Sequence, residues 1–221
     1  LLSRGLGDVY KRQGLYFIVG ESQFLSHDFD NILSKSLDLG LNLLQYRFES
    51  ENFFIEHEEK ILNVIDKVKS YESINIVNNF YTLLDRFSFD GIHLGQSDIS
   101  LDLVKYISND KIIGVSCYNN FNLAKDAVKY DIDYVSFGAY MQSFTKKNAK
   151  KMNKKELKEV SDFSLLPKTI IGGINLSNID NSELKNFEMI AVCKGIMECN
   201  DLDKLFMLSL IHISEPTRQE A

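Results

Sequence analysis

Eight short apolar runs rich in β-branched residues, each followed by an amphipathic segment and recurring about every 20 to 30 residues, predict a single-domain (β/α)8 TIM barrel between Gly14 and Leu208. The runs YFIV and IIGV carry no polar alternation, as strands covered on both faces do not. The first turn, Gly20-Glu21-Ser22-Gln23, lacks the G-x-G-x-x-G of a doubly wound dinucleotide fold, which is the rival arrangement.

The predicted strands are Leu15 to Val19, Asn42 to Tyr46, Ile74 to Asn78, Gly91 to Leu94, Ile112 to Ser116, Tyr134 to Gly138, Thr169 to Ile171 and Met189 to Cys193. Between them the spacing predicts helices over Asp28 to Leu39, Phe53 to Lys69, Phe80 to Arg86, Leu101 to Ile107, Phe121 to Tyr130, Lys154 to Asp162, Ser177 to Leu184 and Asp201 to Leu208. In the second of these, Leu62, Ile65 and Val68 are expected on one apolar face with charges opposite.

Residues 1–13 are arginine-rich and without periodicity, and residues 209–221 carry no helical pattern. Both resemble translated adapter sequence and are expected to lie outside the barrel, which then occupies 14–208. The chain has 25 Lys plus Arg against 31 Asp plus Glu, a net charge of −6. That balance argues against nonspecific nucleic-acid binding, so an anionic ligand must be held by a local cluster of donors. No apolar stretch of membrane-spanning length occurs. Cys117, Cys193 and Cys199 lack metal-ligand spacing, which fits a reduced, cytoplasmic setting.

In a barrel of this class the working groups project from the C-terminal strand ends and the loops that follow them. Polar candidates stand at nearly every one: Gln45 and Arg47, Asn78 and Asn79, His93 through Asp98, Ser116, Ser143 through Lys147, and Gly172 with Gly173. Each has two readings. Arg47 either pairs with a neighbouring carboxylate or clamps phosphate oxygens. Asp98 either caps a helix beginning near Ser100 or binds metal. His93 is either a satisfied strand-end histidine or a base. Lys146 and Lys147 alone read as a solvated loop, but Ser143 and Thr145 beside Lys146 suit a phosphate. Gly172 and Gly173 are either a turn or bare backbone N–H groups able to reach a phosphate.

The runs Leu44-Gln45-Tyr46-Arg47, Gly91-Ile92-His93-Leu94-Gly95-Gln96-Ser97-Asp98, Gly114-Val115-Ser116-Cys117-Tyr118, Ser143-Phe144-Thr145-Lys146-Lys147 and Ile171-Gly172-Gly173-Ile174 resemble, in order and spacing, those of thiamine phosphate synthases. The resemblance spans nearly the whole predicted barrel. It implies a Mg²⁺-dependent transferase acting on a phosphorylated pyrimidine and a phosphorylated thiazole. Gln45 and Arg47 would contact the pyrimidine diphosphate and Asn78 its ring. Ser116 and Lys146 would hold diphosphate oxygens, with Arg47, Ser116 and Lys146 carrying catalysis. Asp98 and Asn79 would face the metal. Ser143, Phe144 and Thr145, with the backbone at Gly173, Cys193 and Lys194, would hold the thiazole phosphate. Assembly into a homo-oligomer is left open.

Three departures from the family pattern involve four positions. Phe48 and Glu49 stand where an acidic residue and a diphosphate-binding lysine are usual. Asn79 replaces a carboxylate, and Lys194 replaces a serine. Lys194 is expected to restore the cation lost at Glu49 from across the mouth. The alternatives are a thiazole tautomerase-like isomerase, favoured by the changes at Glu49 and Asn79, and a noncatalytic binder of the precursor phosphates.

Overall fold

The computed structural model describes residues 14–96, 110–142 and 150–211. Eight parallel strands close a barrel in sequence order: β1 (Gly14–Val19), β2 (Leu43–Tyr46), β3 (Ile74–Asn78), β4 (Gly91–Leu94), β5 (Ile112–Ser116), β6 (Tyr134–Gly138), β7 (Lys168–Ile171) and β8 (Met189–Val192). Each strand pairs with its chain neighbours, and β8 returns to β1 with Gly14 opposite Met189. All eight predicted strands are present, with ends shifted by no more than a residue.

The α-helices are α1 (Glu21–Phe24), α2 (Phe29–Asp38), α3 (Glu51–Glu56), α4 (Glu58–Ser70), α5 (Phe121–Ala127), α6 (Lys154–Ser161), α7 (Lys194–Met197) and α8 (Leu202–Ile211). The single helix predicted over Phe53 to Lys69 is broken at His57. There the imidazole Nδ1 lies 3.0 Å from the Phe53 carbonyl and the ring stacks on Phe53. The buried face of α4 is Ile61, Val64, Ile65 and Val68, and Leu62 is 38% exposed, one step off the stripe the sequence predicts.

Two predicted helices shrink to 3-10 turns, Tyr81–Leu83 and Ser182–Asn186. In the second case Asn175 and Asn178 side chains bond nearby backbone amides, which competes with helix from Ser177 onward. The helix predicted over Leu101 to Ile107 lies outside the described residues. α8 continues past Leu208 to Ile211.

Strand side chains alternate between two cores. Leu15, Phe17, Leu44, Tyr46, Val77, Ile92, Val115, Phe137, Ile170 and Val192 face the helices in one large cluster, while Tyr16, Ile18, Leu43, Ile76, Tyr134, Met189 and Ala191 fill the barrel interior. A rim of polar side chains closes the interior toward the C-terminal ends.

Interior packing turns on two glycines. A Cβ at Gly114 would lie 2.0 Å from Tyr134 Cζ, and one at Gly91 would lie 2.3 Å from the Ile112 carbonyl. With the Gly114 volume empty, the Tyr134 ring reaches across the barrel and its hydroxyl meets Tyr16 Oη at 2.8 Å and His93 Nδ1 at 3.0 Å. His93 Nε2 in turn sits 3.2 Å from Ser136 Oγ. This chain of four polar groups satisfies buried atoms that would otherwise be costly. Burial, and secondarily the Arg47 guanidinium, pushes the His93 pKa down to about 4, so the imidazole is neutral near pH 7.

Two outcomes follow. Gly114→Ala drives a methyl into the Tyr134 ring and is expected to cost about 1–3 kcal/mol, read as a lowered midpoint of thermal unfolding. The loss should shrink when Tyr134 is also truncated to alanine. Because folded His93 binds its proton less readily than the unfolded side chain, the unfolded state takes up more protons between about pH 6.5 and 4. Stability therefore falls as pH is lowered through that window, and His93→Gln should flatten the thermal midpoint against pH there.

Candidate active site

The C-terminal ends of the strands surround a cavity of about 1270 Å³. Its position follows from alternation on β2. Tyr46 points into the helix layer, where its hydroxyl donates to Asn75 Oδ1 at 2.9 Å, which turns Gln45 inward. Arg47 follows, its backbone N–H held by the Val19 carbonyl at 2.9 Å, with the side chain lining the cavity. Phe48 turns outward again and is 3% exposed, with its ring centroid 4.5 Å from Phe53, 4.8 Å from Phe54 and 5.1 Å from Phe24. An aromatic anchor has taken the place of an acidic residue there.

Glu49 is exposed, its amide donates to Glu21 Oε1 at 2.8 Å, and it is not part of the cavity wall. The carboxylate therefore does not oppose an anion inside the cavity. The lysine expected from the family pattern is lost without an anion replacing it in the wall.

The sequence-predicted residues Gln45, Arg47, Asn78, Asn79, Ser116, Gly173, Cys193 and Lys194 all line this one cavity. Asp98, Ser143, Phe144, Thr145, Lys146 and Lys147 lie outside the described residues. Gln45, 2% exposed, donates through Nε2 to Asn78 Oδ1 at 2.7 Å. That bond leaves Gln45 Oε1 as an acceptor and Asn78 Nδ2 as a donor. The Ser116 carbonyl accepts from Gln96 Nε2 at 2.6 Å, which fixes the end of β5.

At the far side, Gly172 and Gly173 have φ of 116° and 66°, and a Cβ on either would come within 2.8 Å of Ala139 or Met141. Only glycine fits there, and Asn178 Nδ2 holds the Gly173 carbonyl at 2.9 Å. Burial raises the Cys193 thiol, with Arg47 opposing the shift. Burial also pushes Cys117 up to about 12, so neither thiol is an activated nucleophile.

Sequence reasoning left one group out: Tyr16, Tyr134 and Ser136 form the floor with His93, and Tyr16, His93 and Ser136 line the cavity. His93 is the satisfied, neutral side chain of its two readings. The inward phase of β1, β4 and β6 signals these positions, but the bonds between them join residues 41 to 118 apart in sequence.

The described wall holds four cations, Arg47, Lys150, Lys194 and Lys204, and one carboxylate, Glu198. A chain of net charge −6 thus presents a locally basic mouth. Lys194 Nζ lies 3.2 Å from Glu198 Oε1, so the cation expected to compensate for Glu49 is shared with the carboxylate of the residue that caps α7. For a divalent cation the described wall offers neutral amide oxygens, that of Asn79 among them, and one carboxylate, the already paired Glu198. These do not by themselves make a Mg²⁺ site, and no cluster of three His, Cys, Asp or Glu suited to a metal occurs among the described residues. No helix among them is long and apolar enough to cross a membrane.

Residues 15–196 match the profile of the thiamine monophosphate synthase family. A thiamine-phosphate synthase of Picrophilus torridus is 34% identical over 190 residues, covering 85% of this chain and 90% of its own. One from Fusobacterium nucleatum is 30% identical over 195 residues, covering 86% and 92%. The solved thiamine phosphate pyrophosphorylase of Pyrococcus furiosus superposes with a TM-score of 0.77 at 22% identity, over 93% of this chain and 99% of that one, and supports the barrel fold. With Gln45, Arg47, Ser116 and Gly173 set around one mouth and its profile matched through nearly the whole barrel, this chain belongs to the thiamine monophosphate synthase family.

Proposed function

We infer that the mouth joins 4-amino-2-methyl-5-hydroxymethylpyrimidine diphosphate to 4-methyl-5-(2-phosphoethyl)thiazole, giving thiamine phosphate and pyrophosphate. The observation that carries this reading is the Gln45–Asn78 pair. Once bonded to each other, the two amides present one acceptor and one donor side by side, the complement of an amino group next to a ring nitrogen. An aminopyrimidine has that edge.

The chemistry needs a leaving group made stable, two rings held in line and water kept away. Arg47 and Ser116, which line the same cavity, are assigned to the diphosphate, where Lys146 would join them. Gly173, Cys193 and Lys194 are assigned to the thiazole phosphate, which Ser143, Phe144 and Thr145 would also hold. When the C–O bond to the diphosphate breaks, the electron pair leaves with pyrophosphate, and the ring nitrogen of the thiazole supplies the pair for the new C–N bond. No side chain need remove a proton, which agrees with a floor whose histidine is neutral and already bonded on both nitrogens. Three free thiols accord with a cytoplasmic setting.

Mg²⁺ is assigned to Asp98, with Asn79 contributing a neutral amide; when bound it supplies positive charge to the departing pyrophosphate. The steps given to the described side chains do not pass through it.

A product assay for thiamine phosphate tests the assignment. Arg47→Ala should lower kcat/KM by about 100-fold or more, as loss of a charged donor to a leaving group does. Glu49→Lys should keep or raise activity. A chain that binds both precursors without forming product, or that acts on a thiazole phosphate alone, would overturn the reading. For the metal, Asn79→Asp adds a carboxylate and should lower the Mg²⁺ concentration giving half-maximal rate by about tenfold; an unchanged requirement removes Asn79 from the site.

A further inference from the structure

Among the described residues nine large apolar side chains are more than a third exposed, and Tyr118 is the one of them that lines the cavity. Its placement is enforced by the backbone. Ser116 ends β5 facing the mouth, Cys117 turns outward and is fully buried, and Tyr118 comes back to the mouth side with 40% of its surface exposed. The Cys117 amide donates to the Ser136 carbonyl at 2.8 Å, and the Tyr118 carbonyl accepts from the Gly138 amide at 2.9 Å. These bonds to β6 hold Tyr118 at φ 51°, a left-handed conformation that a residue with a Cβ rarely adopts. An aromatic ring is thus kept at the rim in a conformation that glycine would take more easily. Its neighbours in the wall are Asn119, Asn120 and Leu123.

Resting on the synthase reading, we propose that Tyr118 is a shielding residue: its ring covers the β5–β6 side of the bound heterocycles and keeps water from the pyrimidine methylene carbon while it carries positive charge. Two fates compete at that carbon. After the C–O bond to the diphosphate breaks and pyrophosphate leaves with the pair, the thiazole nitrogen forms the C–N bond of thiamine phosphate. If water arrives first, its oxygen forms a C–O bond, a proton passes to solvent, and the product is the hydroxymethylpyrimidine alcohol. The ratio of the two products therefore reports water access to the mouth, which a purely structural role for Tyr118 would leave unchanged.

The test measures both products, with both substrates and Mg²⁺ present, for the wild-type protein and three variants. Tyr118→Phe should keep the wild-type ratio. Tyr118→Ala and Tyr118→Gly should raise the share of alcohol by about fivefold or more. Tyr118→Gly should do so while unfolding at a higher temperature than Tyr118→Ala, since glycine relieves the left-handed backbone. The glycine variant guards against misfolding as the cause. An unchanged ratio in Tyr118→Gly overturns the proposal and leaves the synthase reading standing; absence of thiamine phosphate from the wild-type protein overturns that reading first.

Discussion

The Tyr134 ring lies across the barrel because Gly114 has no side chain, and much of the mouth depends on that one concession of volume. From its position the hydroxyl ties Tyr16 on β1 to His93 on β4, and His93 passes the linkage to Ser136 on β6. Three strands on different sides of the ring are joined by polar contacts in a medium where an unmade hydrogen bond is costly. The floor on which the site stands is therefore stiff, and the groups above it point where the strands aim them.

Electrostatics then separates the floor from the rim. Below, burial and the nearby Arg47 keep His93 uncharged, and the Tyr16 hydroxyl is held well above its ordinary pKa by burial and by Tyr134. Above, cations outnumber carboxylates among the described residues of the wall although the whole chain is acidic. A neutral floor suits an aromatic heterocycle, and a basic rim suits its phosphates. Most of the chain's negative charge lies away from the cavity, so the anionic surface does not cancel the local field at short range.

The departures from the family pattern read differently once packing is known. Phe48 is an anchor among Phe24, Phe53 and Phe54, and that anchoring sets the path on which Glu49 leaves the mouth. The cost of the change is one absent cation rather than a repelling charge. Lys194 reaches the same cavity, but Glu198 shares its ammonium, so it is a tempered cation.

The eight strands and their order were legible in the sequence because strands covered on both faces must be continuously apolar, and short crossovers leave a parallel ring as the arrangement that buries them. The polar strand ends were legible for a related reason: Gln45, Asn78 and Ser116 interrupt apolar runs at a fixed phase. Helix limits were less so, since the break at His57 and the Asn175–Asn178 turns arise from side chains competing for backbone groups. Tertiary structure alone decided which way Glu49 turns and that Tyr16, Tyr134, His93 and Ser136 form one chain. Those outcomes depend on distances between residues far apart along the polypeptide, which no local pattern encodes until the ring is closed.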